Sequence, residues 1–116
     1  MKKMIIIAVI FLALVLSSCD IMAKYEITVK NNCGLKIGVY IDQSASQPSA
    51  FIELLNGQTQ KFTNLTYGKY YIHVKDPTVF STLDPKYHYW TTMDVTGNET
   101  WAVTLYGPSY QVNPTY

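Results

Sequence analysis

The chain has 116 residues, of which 48% are hydrophobic and 15% are charged, and its formal net charge is +1 at pH 7. This length suits one domain, and the hydrophobic content argues against an intrinsically disordered chain. All nine basic side chains are lysines. Without arginine the chain lacks the bidentate basic contacts on which nucleic-acid binding usually depends, so we expect no nucleic-acid partner.

The N-terminus has the pattern of an export signal. A positive stretch, Met1-Lys2-Lys3, precedes thirteen uncharged apolar residues, 4–16. As a helix such a run is about 20 Å long, which is short of the hydrocarbon core of a bilayer, about 30 Å. We therefore predict that residues 1–18 are a cleaved signal peptide.

The segment ends in Leu16-Ser17-Ser18-Cys19. These residues resemble the lipobox of bacterial lipoproteins, whose cysteine is acylated and becomes the first residue of the mature chain. The resemblance implies that palmitate-type acyl chains on Cys19 anchor the protein in a membrane of the bacterial cell envelope. Two alternatives stay open: cleavage after Ala23 by an ordinary signal peptidase, and retention of the segment as an uncleaved anchor.

Residues 19–24 are then a lipidated N-terminus and short tether. In lipoproteins of enteric Gram-negative bacteria an aspartate at the position of Asp20 retains the protein in the inner membrane, but elsewhere it does not. The leaflet, and the choice between the periplasmic and the extracellular face, stay open. Without residues 1–18 the chain has seven lysines and eight acidic residues, a formal charge of −1. Such a balance favours neither acidic nor basic partners.

Cys19 cannot carry lipid on its sulfur and at the same time form a disulfide with Cys33. If Cys19 carries lipid through its sulfur, Cys33 has no disulfide partner; if the lipobox interpretation fails, a Cys19–Cys33 bridge becomes possible. Cys33 lies in the turn-like sequence Asn31-Asn32-Cys33-Gly34, and we expect it to be a small, partly buried turn residue. The sequence has no spacing typical of a metal site, so no metal or cofactor is predicted.

Period-two alternation of apolar and polar residues recurs along the rest of the chain and predicts β-strands. The predicted strands span residues 25–31, 35–42, 50–55, 58–65, 69–75, 87–95 and 100–106. Asn56-Gly57 and residues 96–99 have the composition of hairpin turns. Residues 43–49 are a polar loop, residues 76–86 form a long connection, and residues 107–116, with two prolines, are expected to be a loose tail.

Seven short strands with frequent turns are typical of an antiparallel β-sandwich. We predict a single all-β domain over residues 25–106, immunoglobulin-like or transthyretin-like. Residues 57–74 (GQTQKFTNLTYGKYYIHV) resemble the hairpin of PEGA-type and carboxypeptidase-regulatory-like domains, and residues 39–42 (VYID) resemble a strand end of those domains. The resemblance implies the fold and an envelope or surface setting, and it implies no catalytic or binding residue.

Enzyme motifs are missing from the sequence. Asp76 and Asp84 each precede a proline, a combination that commonly opens a turn. His73 and His88 are expected to be ordinary surface or half-buried histidines. We therefore expect no enzyme; a hydrolase using Asp76, Asp84 or His88 is the weakest of three hypotheses.

Tyrosine is the unusual component, with ten residues. Tyr71, Tyr87, Tyr89 and Trp90 are predicted to form a recognition surface, since exposed Tyr and Trp anchor interfaces and stack on sugars. Sheet packing explains the same residues without any ligand. The leading functional hypothesis is a lipid-anchored, non-enzymatic envelope or surface module that binds a protein or glycan. The alternative is a lipoprotein inhibitor or immunity-type factor acting on an envelope enzyme.

Overall fold

Eight β-strands build the part of the chain that the computed structural model describes, residues 23–115. The predicted signal peptide and Cys19 lie outside these residues. The strands are β1 (Tyr25–Asn31), β2 (Ile37–Asp42), β3 (Ile52–Leu54), β4 (Thr59–Leu65), β5 (Gly68–Lys75), β6 (Tyr89–Val95), β7 (Glu99–Tyr106) and β8 (Ser109–Thr115). Within residues 23–115, no helix has the length and apolar character needed to cross a membrane.

Two four-stranded sheets pack face to face, which confirms the predicted all-β sandwich. Sheet A has the strand order β4-β1-β7-β8, and sheet B has the order β3-β2-β5-β6. Neighbouring strands are antiparallel except β1 and β7, which run parallel with Ile27 opposite Glu99. The sandwich has eight strands rather than about seven.

The core lies between the sheets and follows the alternation in the sequence. Ile27 and Val29 of β1 in sheet A and Ile72 and Val74 of β5 in sheet B belong to it, and all four side chains are fully buried. Because successive side chains of a strand point to opposite faces, each strand contributes every second residue to the interior. The rest of the buried apolar set is Ile37, Val39, Ile41, Leu54, Leu65, Tyr70, Met93, Val95, Val103, Tyr110 and Val112.

The predicted hairpins are wrong, although the turns themselves are present. Asn56-Gly57 joins β3 of sheet B to β4 of sheet A, and residues 96–98 join β6 to β7, again across the sandwich. The 57–74 segment likewise crosses from β4 to β5. Gly57 has a φ of 87°, so the turn chemistry is as expected. Turn residues specify a reversal of the chain but not whether the flanking strands pair, so the true hairpins are β2–β3, β5–β6 and β7–β8.

The prediction of a loose tail over residues 107–116 is also wrong. β8 pairs with β7 along its whole length, from Tyr106–Ser109 to Thr100–Thr115, and it buries Tyr110 and Val112 in the core. A proline is tolerated in a strand at the edge of a sheet, and β8 is the edge strand of sheet A. Pro114 therefore did not prevent a strand here.

A buried asparagine joins the two sheets at the end of β1. The Asn31 side chain is fully buried, and its Nδ2 donates to the carbonyl of Leu35 at 2.8 Å and to that of Leu54, in sheet B, at 2.9 Å. Its Oδ1 accepts from the backbone N–H of Cys33 at 2.9 Å. The amide group thus fixes the turn after β1 and holds it against β3.

Replacing this side chain should destabilise the domain strongly. Asn31→Ala leaves two carbonyls and one N–H without their partner in the interior, and we expect a loss of about 3 kcal/mol in the free energy of unfolding. Urea denaturation followed by Trp fluorescence measures this. Asn32→Ala, one residue along and exposed, is the matched control and should change the free energy by less than about 0.5 kcal/mol. Equal effects of the two substitutions would contradict the role of the Asn31 amide.

Candidate functional site

The outer face of sheet B carries part of the predicted aromatic surface. Tyr71 of β5 and Trp90 of β6 meet edge to face there, with ring centroids 5.5 Å apart and an interplanar angle of 70°. The Lys69 ammonium lies 5.5 Å from the centroid of the Tyr71 ring. Tyr87 is near the other end of this face, where the Lys75 ammonium lies 5.7 Å from its ring centroid.

Tyr89 does not belong to this surface, and that prediction is wrong. It lies opposite Val74, which is an interior residue, and its ring packs against the core and 6.3 Å from the ring of Tyr110. The run of aromatic residues 87–90 therefore divides between two sides of the sheet, because β6 begins at Tyr89 and its alternation sends Tyr89 inward and Trp90 outward.

His73 is the most unexpected residue of the outer face. It lies on the face predicted from the alternation, yet its side chain is completely buried, so the expectation of a surface or half-buried histidine is wrong for His73. His88 is half-buried, as expected. Alternation along a strand tells which face a side chain occupies; it does not tell whether a distant loop covers that face.

A chain of short hydrogen bonds runs through His73. Its Nε2 lies 2.7 Å from Asp42 Oδ1 and its Nδ1 lies 2.9 Å from His88 Nε2. An ionised carboxylate only accepts, so Nε2–H of His73 donates to Asp42 and Nδ1 of the neutral ring accepts from Nε2–H of His88. Asp42 Oδ1 also accepts from the backbone N–H of Ser44 at 3.1 Å. We term Asp42, His73 and His88 together the imidazole relay.

The two imidazoles of the relay face each other end to end. Their planes differ by only 10°. The ring centroids are 5.2 Å apart and the bonded nitrogens 2.9 Å apart, so the two bonded nitrogens lie on the line between the centroids. The rings therefore share a plane, and the two in-plane nitrogen directions oppose each other. A metal ion needs ligand directions that converge on one point, whereas a proton is held well between opposed nitrogens. Within residues 23–115, no group of three His, Cys, Asp or Glu side chains could hold a metal ion.

Two loops cover the relay: the 43–51 loop between β2 and β3, and the 76–88 loop between β5 and β6. Phe51, from the first, meets His88, from the second, with centroids 6.3 Å apart and an interplanar angle of 75°. The close approach of Phe51 depends on Gly38 beneath it, since a Cβ on Gly38 would lie 2.8 Å from Phe51 Cβ. The Lys75 ammonium lies 5.4 Å from the centroid of Phe51 and so ties this loop to β5.

The 76–88 loop is closed by its own hydrogen bonds. The N–H of Asp76 donates to the carbonyl of Lys86 at 2.9 Å, which brings the two ends of the loop together. Asp76 Oδ1 accepts from both the N–H and the hydroxyl of Thr78, and Asp84 Oδ1 accepts from the N–H of Lys86. Both aspartates thus have the predicted turn-forming role.

The tip of this loop displays two large apolar side chains. Phe80 is 86% exposed and Leu83 is 92% exposed. Sequence reasoning missed both, although two apolar residues in a segment that lacks alternation were a usable signal. It also missed Asp42, whose partnership with His73 follows from the antiparallel pairing of β2 and β5 and appears in no local pattern.

A groove of about 330 Å³ separates the two loops, with Pro48 and Phe51 on one side and Lys75 and Pro77 on the other. A second groove, of about 300 Å³, lies on the other side of Pro48 and reaches Tyr40 and Asp42. The relay thus lies under a surface with two shallow depressions, one on each side of the 43–51 loop.

Burial changes the acid–base properties of two groups near the loops. The pKa of His88 is lowered below 6.5 by burial first and then by the neighbouring His73 and Lys75, with Asp42 opposing. The pKa of Tyr110 is raised by burial and by the negative charges of Asp76 and Asp84. The Tyr110 hydroxyl is buried and has no hydrogen-bond partner among the described residues.

Comparisons of the chain with protein-family models, with curated proteins and with solved structures found no match.

Cys33 is a half-buried thiol whose Sγ lies 3.4 Å from the carbonyl of Val103. Burial raises its pKa from 9.0 to about 11. Because the thiolate is the reactive form, a thiol with this pKa is a poor nucleophile near neutral pH.

We expect Cys33 to resist alkylation. In a Cys19→Ser variant, where Cys33 is the single cysteine of the chain, iodoacetamide should react at pH 7.5 about a hundredfold more slowly than with an unstructured cysteine peptide, since the pKa is about two units higher. The rate should rise with pH until about pH 11. Addition of urea should abolish the protection. A rate at pH 7.5 within threefold of the peptide rate would contradict the burial of this thiol.

Proposed function

We propose that the protein is a lipid-anchored, non-enzymatic module of the bacterial cell envelope that binds a protein partner through the tip of the 76–88 loop. The observation that carries the proposal is the near-complete exposure of Phe80 and Leu83 on a loop held by its own hydrogen bonds. Single exposed apolar residues are normal on protein surfaces, but two in one ordered loop tip suit an interface.

The chemistry of this tip favours a protein over a glycan. Phe80 and Leu83 have no polar side-chain atoms to meet sugar hydroxyls, whereas apolar side chains at the centre of a polar rim are typical of protein interfaces. Tyr71 and Trp90 meet edge to face rather than in a common plane. They therefore offer no broad flat platform for a sugar ring, and we place them at the periphery of the proposed interface.

The position of the loop agrees with a tether at the N-terminus. β1 begins at Tyr25, opposite Leu65, at the end of the sandwich where β5 begins. β5 runs to the other end, and the 76–88 loop leaves and re-enters there, between Lys75 and Tyr89. A chain anchored through Cys19 would thus enter the fold at one end and present Phe80 and Leu83 at the opposite end.

The anchor itself is a proposal from the sequence Leu16-Ser17-Ser18-Cys19 and is testable directly. Expressed in bacteria, the chain should incorporate a clickable palmitate analogue and sediment with membranes, since acyl chains contribute about 0.8 kcal/mol per buried methylene. Cys19→Ser should lose the label completely, and Cys33→Ser should keep it. Label that persists in Cys19→Ser would refute lipidation at this residue.

Photo-crosslinking tests the proposed interface. A photoreactive phenylalanine analogue is placed at position 80 or 83 of the full chain, or at the control position 67, where Tyr67 is 74% exposed at the opposite end of the sandwich. In native membranes we expect one discrete protein adduct from positions 80 and 83 and none from position 67. Phe80→Ser and Leu83→Ser, introduced together, should reduce recovery of that partner at least tenfold.

Three results of this experiment separate the hypotheses. Equal adducts from positions 67 and 80 would refute the tip as the interface. Loss of glycan binding in Trp90→Ala without any protein adduct would support a glycan receptor instead. If the captured partner is an envelope enzyme whose turnover falls when the domain is added in equimolar amount, the module acts as an inhibitor, the second functional hypothesis.

A further inference from the structure

We propose that the imidazole relay is an acid-sensitive latch that fastens the 76–88 loop to sheet B and releases it when the relay takes up protons. Asp42 and His73 belong to the strands β2 and β5, whereas His88 belongs to the loop. The 2.9 Å bond between His73 Nδ1 and His88 Nε2 is thus a direct polar connection between the fixed sheet and the loop.

The connection is sensitive to acid because each of its hydrogen bonds has room for only one proton. In the neutral pair, each of the two bonds of His73 contains one proton: His73 Nε2–H points at Asp42, and His88 Nε2–H points at His73 Nδ1. One added proton goes to His88 Nδ1, which has no partner among the described residues and is open to solvent. A second added proton would go to His73 Nδ1. Two N–H groups would then face each other at 2.9 Å, and the bond between sheet and loop would be lost.

The charges around the pair determine how many protons it tolerates. Asp42, from β2, is the one anion in contact with the relay among the described residues, and it compensates one positive charge. Lys75, from β5, already places a cation beside His88. Glu53, from β3, forms an ion pair with Lys36 at 3.2 Å. The 43–51 loop, packed on the other side, has no charged residue. Two positive charges on the pair therefore exceed the available compensation.

The direction of the pH dependence follows from the pKa of His88 in the latched and in the released state of the loop. A released His88 has its ordinary pKa of 6.5, whereas burial lowers the pKa of the latched ring. Protons therefore favour the released state, and the latch is fully effective above pH 6.5. Its contribution falls as the pH decreases through 6.5 toward the lowered pKa of the latched ring. Since His88 takes up a proton on release, this residue alone should raise the released fraction by up to about tenfold for each pH unit in this window.

Release of the latch would alter the part of the molecule that carries Phe80 and Leu83. His88 is the last residue of the loop before β6, and its ring also holds Phe51 of the 43–51 loop through their edge-to-face contact. Both loops over the outer face of sheet B thus contact one half-buried imidazole, that of His88. The effect on partner binding rests on the proposed function, whereas the release of the loop does not.

Amide hydrogen exchange of the full chain tests the latch. The probes are the N–H groups of Asp76 and Tyr87, which donate to Lys86 and Asp84 within the loop, and the measurements are made between pH 7.5 and 5.0 and corrected for intrinsic exchange. We expect the loop amides to lose at least tenfold protection on acidification, while core amides of β5 stay protected. His88→Gln keeps an N–H donor at this position without a titrating ring, and it should show loop protection that does not change with pH.

Two outcomes would overturn the latch: loop protection that is constant with pH in the unaltered protein, or an equal loss in His88→Gln. Should His88→Gln fail to fold, the imidazole ¹⁵N shifts of the unaltered protein decide. At pH 7.5 they should show one proton at Nε2 of each ring, as the two hydrogen bonds require, and uptake of protons by the pair should coincide with loop release. A pair that takes up two protons while the loop stays protected would refute the proposal. Crosslinking from position 80 at pH 7.5 and 5.5 separately reports any effect on the partner.

Discussion

The amide group of Asn31 is the interaction on which the arrangement of the two sheets depends. A sandwich of two sheets is held chiefly by apolar contacts, which have no direction, so the sheets need a directional contact to define how their ends meet. Asn31 supplies it, because it donates to carbonyls of both the turn after β1 and β3 and accepts from the N–H of Cys33. The backbone of Asn31 also accepts from Gly57 and donates to Gln58. Three chain segments thus converge on one buried residue: the turn after β1, the end of β3 and the turn before β4.

The outer face of sheet B carries a second set of directional contacts, which centre on His73. A histidine buried on the outer face of a sheet needs other residues to exclude solvent from it and polar partners for its ring nitrogens. His73 has both, since it is fully buried and its nitrogens bond to Asp42 and His88. The cover consists of the two long loops, each of which joins strands that are paired in the same sheet. The short connections, in contrast, all cross between sheets or close the edge hairpin β7–β8. Most short turns therefore carry the chain from one sheet to the other, whereas the two long loops fold over the outer face of sheet B.

The class of fold and most strands could be predicted from the sequence, because alternation such as Tyr70, Ile72 and Val74 is a local consequence of a half-buried strand. Strand pairing could not, since Asn56-Gly57 has the same composition whether it joins partners or crosses the core. β8 was missed because Pro114 hides an otherwise regular alternation of Tyr110 and Val112. Asp84 was predicted to form a turn and does so. The relay was out of reach, because Asp42 and His73 are 31 residues apart and only the register of two strands brings them together.

The edges of the two sheets bear on how many copies of this domain can be crowded together. An open strand edge offers backbone donors and acceptors to any neighbouring chain, and native proteins protect such edges with prolines, charges or short strands. Here β8 contains Pro114, β4 contains Lys61 beside its central residue, and β3 is three residues long. β6 places Asp94 on its outer side, opposite Lys69. Molecules held in a plane by the proposed lipid anchor would collide far more often, and in a fixed orientation, than molecules free in a volume. Edges that resist strand pairing would let such a population stay dense without forming fibrils.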